Sequence, residues 1–204
     1  MRAVRALFSP FNMVAGLVLA AVLLLQLVVG RPDAPQVSAE LTKTTEAPQF
    51  VAVNLHFPDQ SLRKDAVEAR RVSVGGSEAP FKELASRALE AWASGPTGGG
   101  LRLIPPNSEE PTVIVRYGAA YVSLPLSWRN LGGGSELEWW TICGIVDTLT
   151  DLKPGDVKSS DPGIATVLFL MNGMNNSIRG VTGAETLAGH VDLSLPFTKS
   201  VCAT

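Results

Sequence analysis

The feature that most constrains the fold is an amphipathic stretch at residues 77–106. Its apolar residues recur at the i, i+3, i+4, i+7 spacing of one helical face: Phe81, Leu84, Ala85, Ala88, Leu89 and Trp92. Ser77 is predicted as the N-cap with Glu78 in the first turn, and Gly95-Pro96 ends the helix. A helix of this length is marginal alone in water, so we expect a sheet to cover its apolar face.

Alternation with a period of two predicts strands on both sides of this helix. Residues 49–57 and, more weakly, 67–74 alternate before it, and residues 112–117 and 119–124 alternate after it. Gly118 supplies the backbone freedom for a tight hairpin between the last two. Residues 164–171 are apolar on both faces, which predicts a central strand, and residues 191–195 predict a last strand.

A second helix is predicted from Ser135 to about Leu152. Ser135 and Glu138 have the S-x-x-E spacing of a capping box, which follows the glycine run at 132–134. Its apolar face comprises Trp139, Ile142, Cys143, Val146 and Leu149. About six strands and two helices predict an α+β fold, a two-layer sandwich with both helices packed on one face of a mostly antiparallel or mixed sheet.

The N-terminal region predicts a membrane anchor. Residues 11–29 are apolar apart from Asn12 and Gln26, and Arg2 and Arg5 precede them. The positive-inside rule therefore places the N-terminus in the cytoplasm and the remainder outside, in a single-pass arrangement. A cleaved signal peptide is the alternative, because residues 37–39 resemble a small-residue cleavage site. We divide the chain into a tip and anchor (1–30), a linker (31–49), a domain (50–199) and a tail (200–204).

Charge argues against nucleic acid as a partner. The residues after position 30 contain 15 basic and 19 acidic residues, a net charge of −4. A protein that binds a phosphate backbone needs a net basic face.

The sequence contains no constellation for catalysis, a metal or a cofactor. His56 and His190 are the two histidines, and neither belongs to a cluster with metal-ligand spacing, so a polar strand or turn role is expected for each. Hydrolase, phosphate-loop and dinucleotide motifs are missing. Asp147 and Asp151 share a helical face, which we interpret as solvated.

Two cysteines and four aromatic residues are the remaining candidates. Cys143 and Cys202 form a disulfide or stay as a buried thiol and a free tail thiol; their spacing leaves both open. Trp139 is expected in the core, whereas Trp128, Trp140 and Tyr121 are candidate interface residues because exposed aromatic residues are enriched at interfaces.

The order of these elements resembles the GerM-type sporulation and germination domain, an extracytoplasmic module of bacterial envelope proteins. The resemblance spans about residues 50–199. The matching stretches are residues 88–92 (ALEAW), 95–97, 100–101, 104–106, 118–124 (GAAYVSL), 145–150 (IVDTLT), 167–173 (VLFLMNG) and 189–198 (GHVDLSLPFT). Such domains are compact α+β units that pack against copies or relatives of themselves, so the resemblance implies assembly and not catalysis. This chain differs in carrying one copy and a longer insertion at 174–188.

Two functions of different classes follow. The first is a membrane-anchored scaffold that contacts an envelope protein or itself through the GerM-like domain. The second is a module that binds a cell-wall glycan or peptide through Trp128, Trp140 and the glycine loops at 98–100 and 132–134. An enzyme has no residues to support it.

Overall fold

A computed structural model describes residues 48–75, 77–171 and 186–203 of the chain. Within these ranges the strands are β1 (Gln49–Pro58), β2 (Asp65–Val74), β3 (Thr112–Arg116), β4 (Ala119–Leu124) and β5 (Thr166–Met171). The helices are α1 (Pro80–Ala93), α2 (Gly134–Thr150) and the short α3 (Lys199–Cys202), with 3₁₀ turns at Leu126–Asn130 and Pro154–Val157. The α+β class is confirmed.

The strands form two sheets, where the sequence predicted one. β1 and β2 pair antiparallel, while β3, β4 and β5 form a mixed sheet in which β3–β4 is antiparallel and β4–β5 parallel. At the outer edge of β1, the His56 N–H donates to Thr148 Oγ1 and the His56 carbonyl accepts from Trp92 Nε1. Helix side chains thus occupy main-chain groups that a neighbouring strand would otherwise use.

The two long helices cover the inner faces of both sheets. α1 packs on β2 and β3, α2 packs on β1 and β5, and the two helices contact each other. The apolar face predicted for α1 is confirmed, since all six of its residues are buried. The inner faces of the strands complete one core with Leu55, Phe57, Val122 and Phe169 among its buried members.

The predicted N-terminal caps of both helices are wrong. α1 begins at Pro80, so Ser77 and Glu78 precede it; Ser77 Oγ instead accepts the Ala79 N–H at 3.1 Å. α2 begins at Gly134. Gly133 occupies its N-cap position in a left-handed conformation, with a φ of 95°, and no side chain caps the helix there. Glu138 cannot complete a capping box because its carboxylate is buried against another segment of the chain.

Two strand predictions also need correction. β5 lies at one end of the order β3-β4-β5, and β4 is the central strand. Residues 191–195 form no strand; Phe197 makes an isolated antiparallel bridge to Val167, and Asp192 makes one to Thr186. The hairpin at Gly118 is as predicted, with Tyr117 at φ 53° and Gly118 at φ 76°, the positive pair that a two-residue primed turn requires.

No helix of the described residues is long and apolar enough to cross a membrane. The predicted anchor at 11–29, most of the linker, and most of the insertion at 174–188 lie outside the described residues.

Candidate functional site

The outer face of the three-stranded sheet presents a row of apolar side chains. Ile114 pairs with Tyr121, and Tyr121 pairs with Leu168, so the three residues cross the sheet in register. Ile114 is 58% exposed, and Tyr121 and Leu168 are partly exposed. Tyr117, in the adjoining turn, is fully exposed. We call these four residues the outer sheet surface.

The edge of β3 beside this surface is unpaired. Because the two-residue turn makes Arg116 and Ala119 a hydrogen-bonded pair, alternation turns the main-chain groups of Val113 and Val115 away from β4. No strand of the described residues lies on that side. An open edge of this kind is a template for strand addition.

Open grooves flank this edge. One of about 410 Å³ is lined by Lys82, Asp161 and the end of β3, and one of about 390 Å³ lies between the polar side of α1 and Val113 and Ile114. In the second groove Glu83 Oε2 is buried and accepts no hydrogen bond from the described residues. The edge therefore has space and an unused acceptor beside it.

A second feature is an ion cluster centred on the buried side chain of His56. His56 Nδ1 lies 2.5 Å from Asp65 Oδ2, and His56 Nε2 lies 2.9 Å from Asp151 Oδ2. Lys199 of α3 donates to Asp151 Oδ1. The cluster joins β1, β2, α2 and the C-terminal segment, so the prediction of a solvated face for Asp147 and Asp151 is wrong.

Geometry favours the doubly protonated imidazole, because an ionised carboxylate accepts and both ring nitrogens then donate. Burial lowers the pKa of His56, but the hydrogen bonds and charges of Asp65 and Asp151 outweigh it, and the pKa is raised above 6.5. Burial raises the pKa of Asp151, yet Lys199 and His56 bring it below its ordinary value. Burial raises the pKa of Asp147, whose Oδ1 is buried without a hydrogen-bond partner among the described residues.

The cluster is arranged to hold the fold together. Both nitrogens of His56 are engaged by carboxylates on opposite sides of the ring, which leaves neither free to take a proton from a substrate. The described residues contain no group of three or more His, Cys, Asp or Glu side chains placed to hold a metal ion. The sequence shows that Asp147 and Asp151 share one helical face, but it does not show that β1 packs beside that face.

Glu138 fixes the segment that approaches α2 from the C-terminal side. Its carboxylate is 2% exposed and accepts the backbone N–H of Ala188, of His190 at 3.0 Å and of Val191 at 2.8 Å. His190 Nδ1 lies 3.4 Å from the same carboxylate. In the sequence, Glu138 lies on an otherwise apolar helix face. This position was the signal for a buried carboxylate, and the capping-box interpretation overlooked it.

The structure joins Cys143 and Cys202 in a disulfide with a Cα–Cα distance of 5.3 Å. The bond ties α3 to the middle of α2 and closes a loop with a sequence separation of 59. Both residues are buried.

The burial of Trp128 and Trp139 differs from what the sequence predicted. Trp128 is completely buried beside Trp92, and its Nε1 donates to the Glu109 carbonyl, so it is not an interface residue. Trp140 is partly buried, and its Nε1 donates to the Leu62 carbonyl at 3.1 Å. Trp139, expected in the core, is partly exposed because it lies at the border of α2 with the C-terminal segment.

A protein-family model described as Germane, sporulation and spore germination, matches residues 54–177. The match covers more than half of the 204 residues, and the chain belongs to this family. The GerM-type resemblance seen in the sequence is therefore confirmed at the level of the family.

Two solved structures are similar to this chain. One is a Clostridium perfringens protein described provisionally as a lipoprotein, with 18% identity, a TM-score of 0.42, and coverage of 75% of this chain and 89% of that chain. The other contains the tandem GerMN domains of the sporulation protein GerM from Bacillus subtilis, with 17% identity, a TM-score of 0.48, and coverage of 75% of this chain and 48% of that chain. Among curated proteins no match is found.

Proposed function

We propose that this chain is a membrane-anchored, extracytoplasmic interaction domain in cell-envelope assembly or regulation, a sporulation-like module. It contacts an envelope protein or another copy of itself through the outer sheet surface. The observation that carries the proposal is the apolar row at Ile114, Tyr121 and Leu168, with the fully exposed Tyr117 in the adjoining turn.

Soluble proteins commonly protect a sheet edge with charge, proline or a covering element. Here β3 ends in Arg116, but its centre presents Ile114 to solvent next to unpaired main-chain groups. An added strand would satisfy the groups of Val113 and Val115 and cover the side chain of Ile114. Such a contact combines directional hydrogen bonds with apolar burial.

The location is part of the proposal. Residues 11–29 have the length and apolar character of a bilayer span, and the arginines before them favour an N-terminus in the cytoplasm. A disulfide between Cys143 and Cys202 is compatible with an oxidising compartment outside that membrane. This location would place the outer sheet surface among other envelope proteins.

We propose no enzymatic activity and no cofactor. The clustered His56, Asp65 and Asp151 satisfy one another, which suits a structural ion cluster better than a general base. The glycan hypothesis built on Trp128 and Trp140 loses its aromatic platform, because the first is buried and the indole N–H of the second is bonded to the main chain.

The test is site-specific photocrosslinking of the full-length protein in its own membrane. A benzophenone amino acid replaces Tyr117, whose complete exposure makes the substitution harmless to packing. We expect a discrete product, identified by mass spectrometry as an envelope protein or a second copy. The additional change Ile114→Lys should abolish that product, because a charge would then lie within the apolar contact.

The matched control is Leu126→Lys, which places the same charge at a 47% exposed apolar residue of the 3₁₀ turn. It should leave the product unchanged. A product that survives Ile114→Lys, or the absence of any product at position 117, would overturn the assignment of this surface.

A further inference from the structure

A groove at the start of α2 shares no residue with the outer sheet surface. It is open to solvent, has a volume of about 530 Å³ and is lined by Ser135, Glu136, Trp139, His190, Val191, Asp192 and Phe197. Sites that bind small ligands or side chains occupy volumes on the order of 300 to 1,000 Å³. The groove is therefore large enough to receive a long side chain.

An aromatic stack fixes its floor. The ring centroids of Trp139 and Phe197 lie 6.5 Å apart, with the ring planes tilted by 56°. The ring centroids of Phe197 and Phe169 lie 5.4 Å apart in an edge-to-face arrangement. Phe169 and Phe197 are buried, whereas Trp139 is partly exposed. The aromatic contacts thus anchor Trp139 against the core, while part of its indole remains accessible in the groove.

The facing wall is also held in place. Val191, Asp192 and His190 lie on the segment that Glu138 binds through its buried carboxylate. Phe197 is tied to β5 by reciprocal main-chain hydrogen bonds of 2.8 Å with Val167. The aromatic floor and the facing wall are both held in place before a ligand arrives, which reduces the entropy lost when a ligand binds.

The rim of the groove is acidic. Glu136 on α2 and Asp192 on the facing segment are both among its lining residues, and no lysine or arginine of the described chain is. Neither carboxylate forms an ion pair with the described residues. The backbone N–H of Ser194 donates to Asp192 Oδ1 at 2.8 Å, and hydrogen bonds with Ser194 lower the pKa of this carboxyl.

An indole face attracts a cation through its quadrupole, and nearby carboxylates add to that attraction. The same carboxylates repel an anionic ligand, and a neutral ligand would gain nothing from their charge. We propose that the groove binds the basic side chain, lysine or arginine, of a partner polypeptide. The cation lies against Trp139 and between Glu136 and Asp192.

The test is titration of the full-length protein in detergent micelles with acetyl-Gly-Lys-Gly-amide, followed by NMR of the tryptophan indole N–H signals. The Trp139 signal is assigned from the variant Trp139→Phe. We expect a saturable shift of this signal in the millimolar range. The peptide with N-acetyl-lysine, which keeps the stem and removes the charge, should bind about five- to tenfold more weakly.

The double variant Glu136→Gln, Asp192→Asn should weaken binding of the lysine peptide by a similar factor, because the amides preserve the shape of the side chains and remove their charge. The matched control is Glu110→Gln, an exposed carboxylate outside the groove, which should leave the titration unchanged. Equal affinity for the two peptides would overturn the proposal. So would stronger binding of a neutral N-acetylglucosamine oligosaccharide, or no shift at Trp139. None of these outcomes bears on the crosslink at Tyr117.

Discussion

The close approach of α2 to β1 makes Gly144→Ala the most informative substitution. A Cβ atom at Gly144 would lie 2.7 Å from the His56 carbonyl oxygen and 3.0 Å from Trp92 Nε1. These two atoms form the 2.8 Å hydrogen bond that caps the outer edge of β1. The new methyl group therefore meets main chain and a buried indole, neither of which can rotate away.

The expected cost follows from competing effects. Ordinary contact begins at 3.4 Å, so helix and strand must separate by about 0.7 Å. Overpacking of this kind costs about 1 to 3 kcal/mol, and weakening a buried hydrogen bond adds about 1 kcal/mol. Alanine recovers about 1 kcal/mol of helix propensity. We expect a net loss of about 2 kcal/mol in the free energy of unfolding.

Urea unfolding of the purified protein, followed by tryptophan fluorescence, measures this loss. For a domain of this size it corresponds to a fall in melting temperature of about 4 to 8 °C. Gly155→Ala is the control, because its Cβ would meet nothing within 4 Å. That variant should be neutral or slightly stabilised. If Gly144→Ala were as stable as the unchanged protein, the described contact between α2 and β1 would be wrong.

Three further predictions concern the buried polar groups and the disulfide. Glu138→Ala should destabilise the fold by about 3 kcal/mol in chemical denaturation, since three backbone N–H groups lose a charged acceptor, and a loss below about 1 kcal/mol would contradict its buried role. Because the pKa of His56 is raised on folding, its contribution to the free energy of unfolding is complete below pH 6.5. That contribution is lost as the pH rises through the pKa of His56 in the folded protein. The gap in stability between the unchanged protein and His56→Gln should therefore be full below pH 6.5 and should narrow as the pH rises above it, and a constant gap would refute the ion cluster. The double variant Cys143→Ser, Cys202→Ser should lose about 2 to 4 kcal/mol under non-reducing conditions, and free thiols in the unchanged protein would argue against the bond.

Local periodicity accounts for the parts of the fold that the sequence predicted well. The α1 face is buried as its spacing requires, and the alternation in β1, β3 and β4 identifies the faces that enter the core. The positive φ angles at Tyr117 and Gly118 match the hairpin that glycine predicted. These features depend on neighbours within a few residues, which is the range over which a sequence pattern carries physical information.

The candidate sites depended on contacts that no local pattern contains. Ile114 alternates like any strand residue, and its exposure follows from its place on the outer face of β3, an edge strand beside which no further strand of the described residues pairs. Glu138 has the spacing of a cap but is drawn into the interior by the returning segment at 188–191. Trp128 lies in a turn, yet it is fully buried because its ring packs against Trp92.

The sequence alone therefore determined the α+β class, the α1 face, the hairpin and the family to which the chain belongs. Tertiary structure decided that there are two sheets, that β5 lies at a sheet end, and that His56 meets Asp65 and Asp151. It also created the groove beside Trp139. The reason is that periodicity states which side of an element is apolar, whereas pairing, edges and clefts depend on which distant segments come together.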